Sequence, residues 1–134
     1  MKLPTHYKRV MITDDNPIDR YVAERVIKKY EFAEEVIALE SARSAIVYLE
    51  SLVNNREALP QLIFLDIRMP EIDGFGFLEM YNALPMVVKS NCIIMMLSTS
   101  LDPDDRKRAA DNQFVNRFLN KPLTKEKLNG LRNE

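Results

Sequence analysis

Five polar positions in this chain of 134 residues carry side chains that could act together on one group: Asp14, Asp15, Asp66, Ser98 and Lys121. Each comes directly after a short, largely apolar run. Asp14 and Asp15 follow 9–13, Asp66 follows 62–65, Ser98 follows 92–97 and Lys121 follows 117–120. An acid at the exit of an apolar run gains nothing from core packing, because a carboxylate in low-dielectric surroundings must be paired, metal-bound or protonated. Two unit charges about 4 Å apart repel by about 4 kcal/mol at an effective dielectric near 20. Three carboxylates brought together therefore call for a cation. All-oxygen ligands with no His or Cys beside them favour Mg²⁺ (or Mn²⁺) over Zn²⁺. Lys121 offers a point charge suited to phosphate, and Ser98 a hydroxyl donor. This set supports phosphoryl transfer, with Asp66 as a carboxylate nucleophile that becomes an acyl phosphate.

The elements that must position these groups alternate. The five runs 9–13, 36–39, 62–65, 92–97 and 117–120 are expected as strands. Asn16 as N-cap, Pro17 at the first helical position and Asp19 in the first turn open a helix to about Tyr30. Its stripe is Ile18, Val22 and Val26, flanked by Ala23 and Ile27. Ser41 begins a second helix whose Ala42, Ala45, Ile46, Leu49 and Val53 share a face. A third runs over about 75–84, weakened early by Gly76 and ended by Pro85. Asp102-Pro103 starts a fourth, to about Asn112, and Thr124 caps a last one through Leu128 or slightly beyond, with Gly130 ending or fraying it. Five such alternations call for a parallel α/β sheet with helices on both faces and right-handed crossovers. The nearly continuous apolar strands agree with that burial. In such a sheet the carboxyl ends of the strands share one edge, where open α/β folds place their sites.

Composition narrows the function classes. With 46% apolar residues, one core and one domain over 1–134 are expected, the core spanning about 8–130 behind an N-terminal tail of 1–7. Nineteen basic against 20 acidic side chains leave a net charge of −1, so no global field marks a nucleic-acid or membrane surface. No apolar stretch is long enough to span a bilayer, and the N-terminus lacks the apolar centre of a signal peptide. Cys92, the single cysteine, reads as a buried structural thiol, which suits a reducing, cytoplasmic setting. His6 reads as a surface residue, Met95-Met96 as core filling, and the run 104–108 as a solvated helix face.

The residues of the set resemble the receiver domains of two-component response regulators, the CheY-like superfamily. The match consists of Asp14-Asp15, the segment Leu65-Asp66-Ile67-Arg68-Met69-Pro70 with Asp73-Gly74, the hydroxyl Ser98, and Lys121-Pro122. The resemblance implies a flavodoxin-like (βα)5 three-layer sandwich with strand order 2-1-3-4-5. It implies that Asp66 accepts a phosphoryl group from the phosphohistidine of a sensor histidine kinase or a phosphotransfer protein. Asp15, Asp66 and the backbone carbonyl of Arg68 would bind Mg²⁺, with Asp14 acting through a water. Lys121 would contact the phosphoryl oxygens and Ser98 would move to them, while Phe118 matches the aromatic that turns inward in response. A cis peptide at Lys121-Pro122 is implied as well. The helix after strand four, strand five and the last helix would form the output face for a downstream protein target, with a phosphorylation-dependent dimer as one form of output. That target contacts this chain directly, or the chain is part of a longer regulator.

Departures from the family pattern mark where this copy should differ. Ser98 stands where threonine is frequent. Thr99 stands where a small alanine or glycine is usual, narrowing access to the phosphoryl group. Arg68 and Ser100 flank the pocket as candidates for tuning dephosphorylation. The connections NNREALP and LPMVVKSN look long. Two other readings share parts of the pattern. A phosphotransferase of the haloacid-dehalogenase type usually needs a second acid two residues after the nucleophile, where this chain has Arg68. A flavin-binding module on the same topology needs a phosphate-binding loop where the first strand here ends in two acids. Structural alternatives remain for single residues: Asp66 capping a turn, Asp14 or Asp15 capping the first helix, and Phe118 as a static, partly buried aromatic.

Overall fold

In a computed structural model the structure describes residues 7–132; His6 and all but Tyr7 of the expected N-terminal tail lie outside them. Five strands, β1 (Tyr7–Thr13), β2 (Ala33–Leu39), β3 (Leu62–Leu65), β4 (Ile93–Ser98) and β5 (Val115–Asn120), form one parallel sheet in the order β2-β1-β3-β4-β5. Among the described residues α1 (Pro17–Lys29), α2 (Ala42–Glu50), α3 (Gly74–Asn82), α4 (Met86–Lys89) and α5 (Pro103–Asp111) connect them, and α6 (Lys125–Leu131) follows β5. β3, the central strand, is buried along its whole length.

Alternate residues along the strands feed two separate cores, one on each face of the sheet. Met11, Ile63, Leu65, Ile94 and Met96 pack with the buried faces of α2 and α3, with Val88 of α4 and with Ala109 of α5. Val10, Ile12, Leu62, Phe64, Met95 and Leu97 pack with Ala23 and Ile27 of α1 and Leu128 and Leu131 of α6. Met95 and Met96 are thus core residues on opposite faces, as expected.

Several boundaries differ from the expectations, each for a physical reason. β1 begins at Tyr7, so that residue belongs to the sheet and not to a tail; its N–H donates to the Phe32 carbonyl at 3.0 Å. β2 starts three residues early because Ala33 pairs with Tyr7. α1 buries Ala23 and Ile27, the residues expected to flank the stripe; of the stripe itself Val26 packs half-buried against the core, whereas Ile18 is 70% exposed and Val22 36%. α2 stops at Glu50, with Ser51 as C-cap, and Val53 packs from the following turn. The two long connections are partly ordered, by a 3-10 turn at Arg56–Ala58 and by α4, and they bury Leu59 and Val88. α6 passes through Gly130 because Leu131 is fully buried behind it. Cys92 is half-buried and free, with burial pushing its thiol up to about 12.

Candidate functional site

Strand register brings the polar set together. Thr13 pairs with Leu65, so Asp14 and Asp66 leave the sheet side by side; Ser98 pairs with Asn120, so Lys121 follows at the next position. Main-chain hydrogen bonds carry the ladder into the loops, from Asp66 N–H to the Thr13 carbonyl and from Lys121 N–H to the Ser98 carbonyl, both at 3.0 Å. Each acid therefore sits on a rigid mount. After Asp66 the chain must turn back toward α3, and Gly74 permits it: a Cβ there would lie 2.6 Å from the Asp66 carbonyl oxygen. Asp73 fixes the helix start by accepting from Gly76 N–H at 2.8 Å.

The carboxylates of Asp14, Asp15 and Asp66 each offer an oxygen, and these atoms lie within 4.8 Å of one another. Asp14 is 3% exposed and Asp66 6%, whereas Asp15 faces solvent. Lys121 Nζ stands 2.6 Å from Asp14 Oδ2, 2.8 Å from Asp19 Oδ2 and 3.5 Å from Asp66 Oδ1. The other Asp14 oxygen accepts from Asn16 N–H, and Arg20 donates to the Asp14 carbonyl. Burial and the neighbouring Asp14 charge push the Asp66 carboxyl up to about 6, against the pull of Lys121, with Asp15 adding to the rise. Burial alone would lower the Lys121 ammonium, but the hydrogen bonds to Asp14 and Asp19 and the charges of Asp66 and Asp14 prevail, holding it above its ordinary value. One ammonium shared among so many carboxylates leaves negative charge uncompensated. This oxygen-only donor set fits a hard divalent cation, with Asp14, Asp15 and Asp66 as the residues able to hold it.

The remaining expected residues fall around this centre. Ser98 is fully buried at the end of β4, and its Oγ accepts from Ser100 N–H at 3.2 Å. Thr99 is exposed. Phe118 is half-buried, packed against the core and covered by the Arg106 guanidinium 4.9 Å from the ring centroid; Arg106 also donates to Asn120 Oδ1. Lys121-Pro122 is cis, as implied. Arg68 is exposed, and its guanidinium pairs with Asp105 at 2.5 Å.

Two acids escaped the sequence reading. Asp19 is expected only in the first turn of α1, yet it holds Lys121. Asp105, expected on a solvated face, is instead 4% exposed and accepts from Arg68 and from Ser100 Oγ. The available signal was spacing. Asp19 lies four and eight residues before the buried Ala23 and Ile27, and Asp105 four before the buried Ala109. Both belong to inner stripes and not to outer faces.

Residues 10–131 match the family described as response regulator receiver domain. A probable methanogenesis regulatory protein, FilR2, of Methanothrix harundinacea is 30% identical over 89% of this chain and 75% of its own length. The chain spans about half the length of rice two-component response regulators that it also matches. Among solved structures, a two component response regulator from Cytophaga hutchinsonii is 31% identical with a TM-score of 0.87, covering 95% of both chains. The receiver domain of the Arabidopsis thaliana histidine kinase CKI1, solved with Mg²⁺, is 28% identical with a TM-score of 0.76, covering 94% of this chain and 90% of that one. The 2-1-3-4-5 sheet and the acids at its carboxyl edge agree with these matches, and the chain belongs to the response regulator receiver domain family.

Proposed function

We propose that Asp66 is the phosphoacceptor of this receiver domain and that one unit spanning about 8–130 carries the whole switch. The observation that supports this most directly is the setting of Asp66: a buried carboxylate at the end of the central strand, 3.5 Å from an ammonium and beside two further acids. Asp15, Asp66 and the Arg68 carbonyl would hold Mg²⁺ or Mn²⁺, with Asp14 acting through a water, and such an ion would supply positive charge to offset that on the phosphoryl oxygens. An Asp66 oxygen attacks phosphorus, forming an O–P bond as the donor's P–N bond breaks and its electron pair returns to the imidazole nitrogen. Lys121 leaves its carboxylates in part to pair with the phosphoryl group, and Ser98 donates its hydroxyl to it. Phe118 follows into the space that Ser98 vacates, which alters the surface of α5, β5 and α6 read by a downstream protein.

The donor in this reading is a histidine kinase or a phosphotransfer protein, and the setting is the cytoplasm. Among the described residues no helix is long and apolar enough to cross a membrane. The chemistry is limited to self-phosphorylation and slow self-dephosphorylation, the latter tuned by Arg68, Thr99 and Ser100. The test is Mg²⁺-dependent incorporation of an acid-stable, hydroxylamine-labile phosphate from a small phosphodonor. Wild type should incorporate it and Asp66→Asn should not; equal incorporation by the variant overturns the assignment.

A further inference from the structure

Asp105 has no part in the chemistry proposed for Asp66, yet it is a buried carboxylate in the first turn of α5. The cap of this helix is supplied by Asp102, whose side chain accepts from Asp104 N–H. Capping therefore does not explain why Asp105 is buried, and an unpaired carboxylate there would be costly. Its partners come from the loops after two different strands. One is the Arg68 guanidinium, from the loop that leaves Asp66. The other is the Ser100 hydroxyl at 2.7 Å, from the loop that leaves Ser98. Both bonds converge on the same atom, Oδ2. The Ser100 N–H in turn donates to Ser98 Oγ, so a continuous chain runs from α5 through Ser100 to the hydroxyl that has to move.

We propose that Asp105 is a positioning residue, a clasp that holds Ser98 and the loop after Asp66 in their resting places and must loosen when Asp66 carries a phosphoryl group. This rests on the reading of Asp66 as acceptor. When the Ser98 hydroxyl turns to the phosphoryl oxygen, Ser98 Oγ gives up the Ser100 N–H, and the hold on Asp105 weakens from that side. The clasp thereby sets part of the free energy that phosphorylation must supply to shift α5. Departing residues Arg68 and Ser100 act through it rather than only on water at the pocket mouth.

The experiment is binding of beryllofluoride, a phosphoryl mimic, to the full chain in saturating Mg²⁺, followed by amide resonances of Ala109 and Ala110. Asp105→Asn should bind about tenfold more tightly than wild type, within the usual range for coupled sites. Its free spectrum should already be shifted toward the bound positions. A substitution that only loosened the fold would lower the melting temperature without tightening binding. Ser100→Ala, which keeps the Arg68 pair, should move affinity in the same direction by less, and it decides the matter if Asp105→Asn does not fold. Adding Arg68→Ala to Asp105→Asn should change little, since both remove the same charge pairing. Unchanged or weaker binding in the variants, with wild type binding normally, overturns the clasp alone. Failure of wild type itself to bind overturns the reading of Asp66 and the clasp with it.

Discussion

The role proposed for Asp66 combines two demands that conflict. A nucleophile must be ionised, but burial and the Asp14 charge raise its carboxyl from an ordinary 3.8 to about 6. A group whose folded value lies above its unfolded value favours the folded state most when protonated. That contribution is complete below about pH 4 and is lost as pH rises through about 6. Metal-free wild type should therefore lose stability across this window, while Asp66→Asn, which cannot ionise, should not. At pH 7.5 in EDTA the variant should be more stable by about 1–3 kcal/mol, the gap closing near pH 4, as measured by urea unfolding at each pH. A constant difference across pH would mean that Asp66 is not held in this strained electrostatic setting. The same mechanism explains why Lys121 has three carboxylate neighbours: with one ammonium among Asp14, Asp19 and Asp66, ionising Asp66 becomes less costly without being free.

At the scale of the element, α1 shows which packing matters. Ile27 is fully buried against the sheet, whereas Ile18, one of the three residues expected on its inner stripe, is 70% exposed. Ile27→Ala should cost about 2–5 kcal/mol through lost burial and a cavity, and Ile18→Ala less than about 0.5 kcal/mol, as read from denaturant midpoints. Similar costs for the two would restore the expected stripe. The misreading has a definite cause. The apolar residues of α1 are spread around much of the helix, so apolar spacing alone admits two faces, and the sheet selects the one bearing small Ala23. The strands were legible because short apolar runs flanked by turn residues alternate with helical patterns, which calls for a parallel sheet. Asp14, Asp66, Ser98 and Lys121 were legible because each ends such a run. Asp19 and Asp105 were not, since an acid in a first helical turn has an ordinary role there, and only the contact across to the loop after another strand sets these two apart.

For the molecule as a whole, Lys121 acts as an electrostatic tie across the sheet. It follows the edge strand β5, yet its ammonium reaches Asp14 after β1, Asp66 after β3 and Asp19 on α1. β5 is otherwise weakly anchored: its side chains are half-buried or exposed along its length, and its pairing with β4 is irregular at Ile94/Met95. Removing the ammonium costs the tie and also leaves the acids to repel one another. In EDTA, Lys121→Met should lose about 3 kcal/mol of stability, the scale for breaking a buried pair. A divalent cation, which Asp14, Asp15 and Asp66 are proposed to hold, would compensate the same charge. Binding at 100 times its dissociation constant adds about 2.7 kcal/mol to wild type. Lys121→Met, with more uncompensated negative charge, should bind Mg²⁺ more tightly and gain more, so its deficit narrows as Mg²⁺ rises. Melting temperatures of both proteins across an Mg²⁺ titration measure this directly. Parallel curves would mean that Lys121 and the cation do not share one field, and the three acids would then not be the metal site.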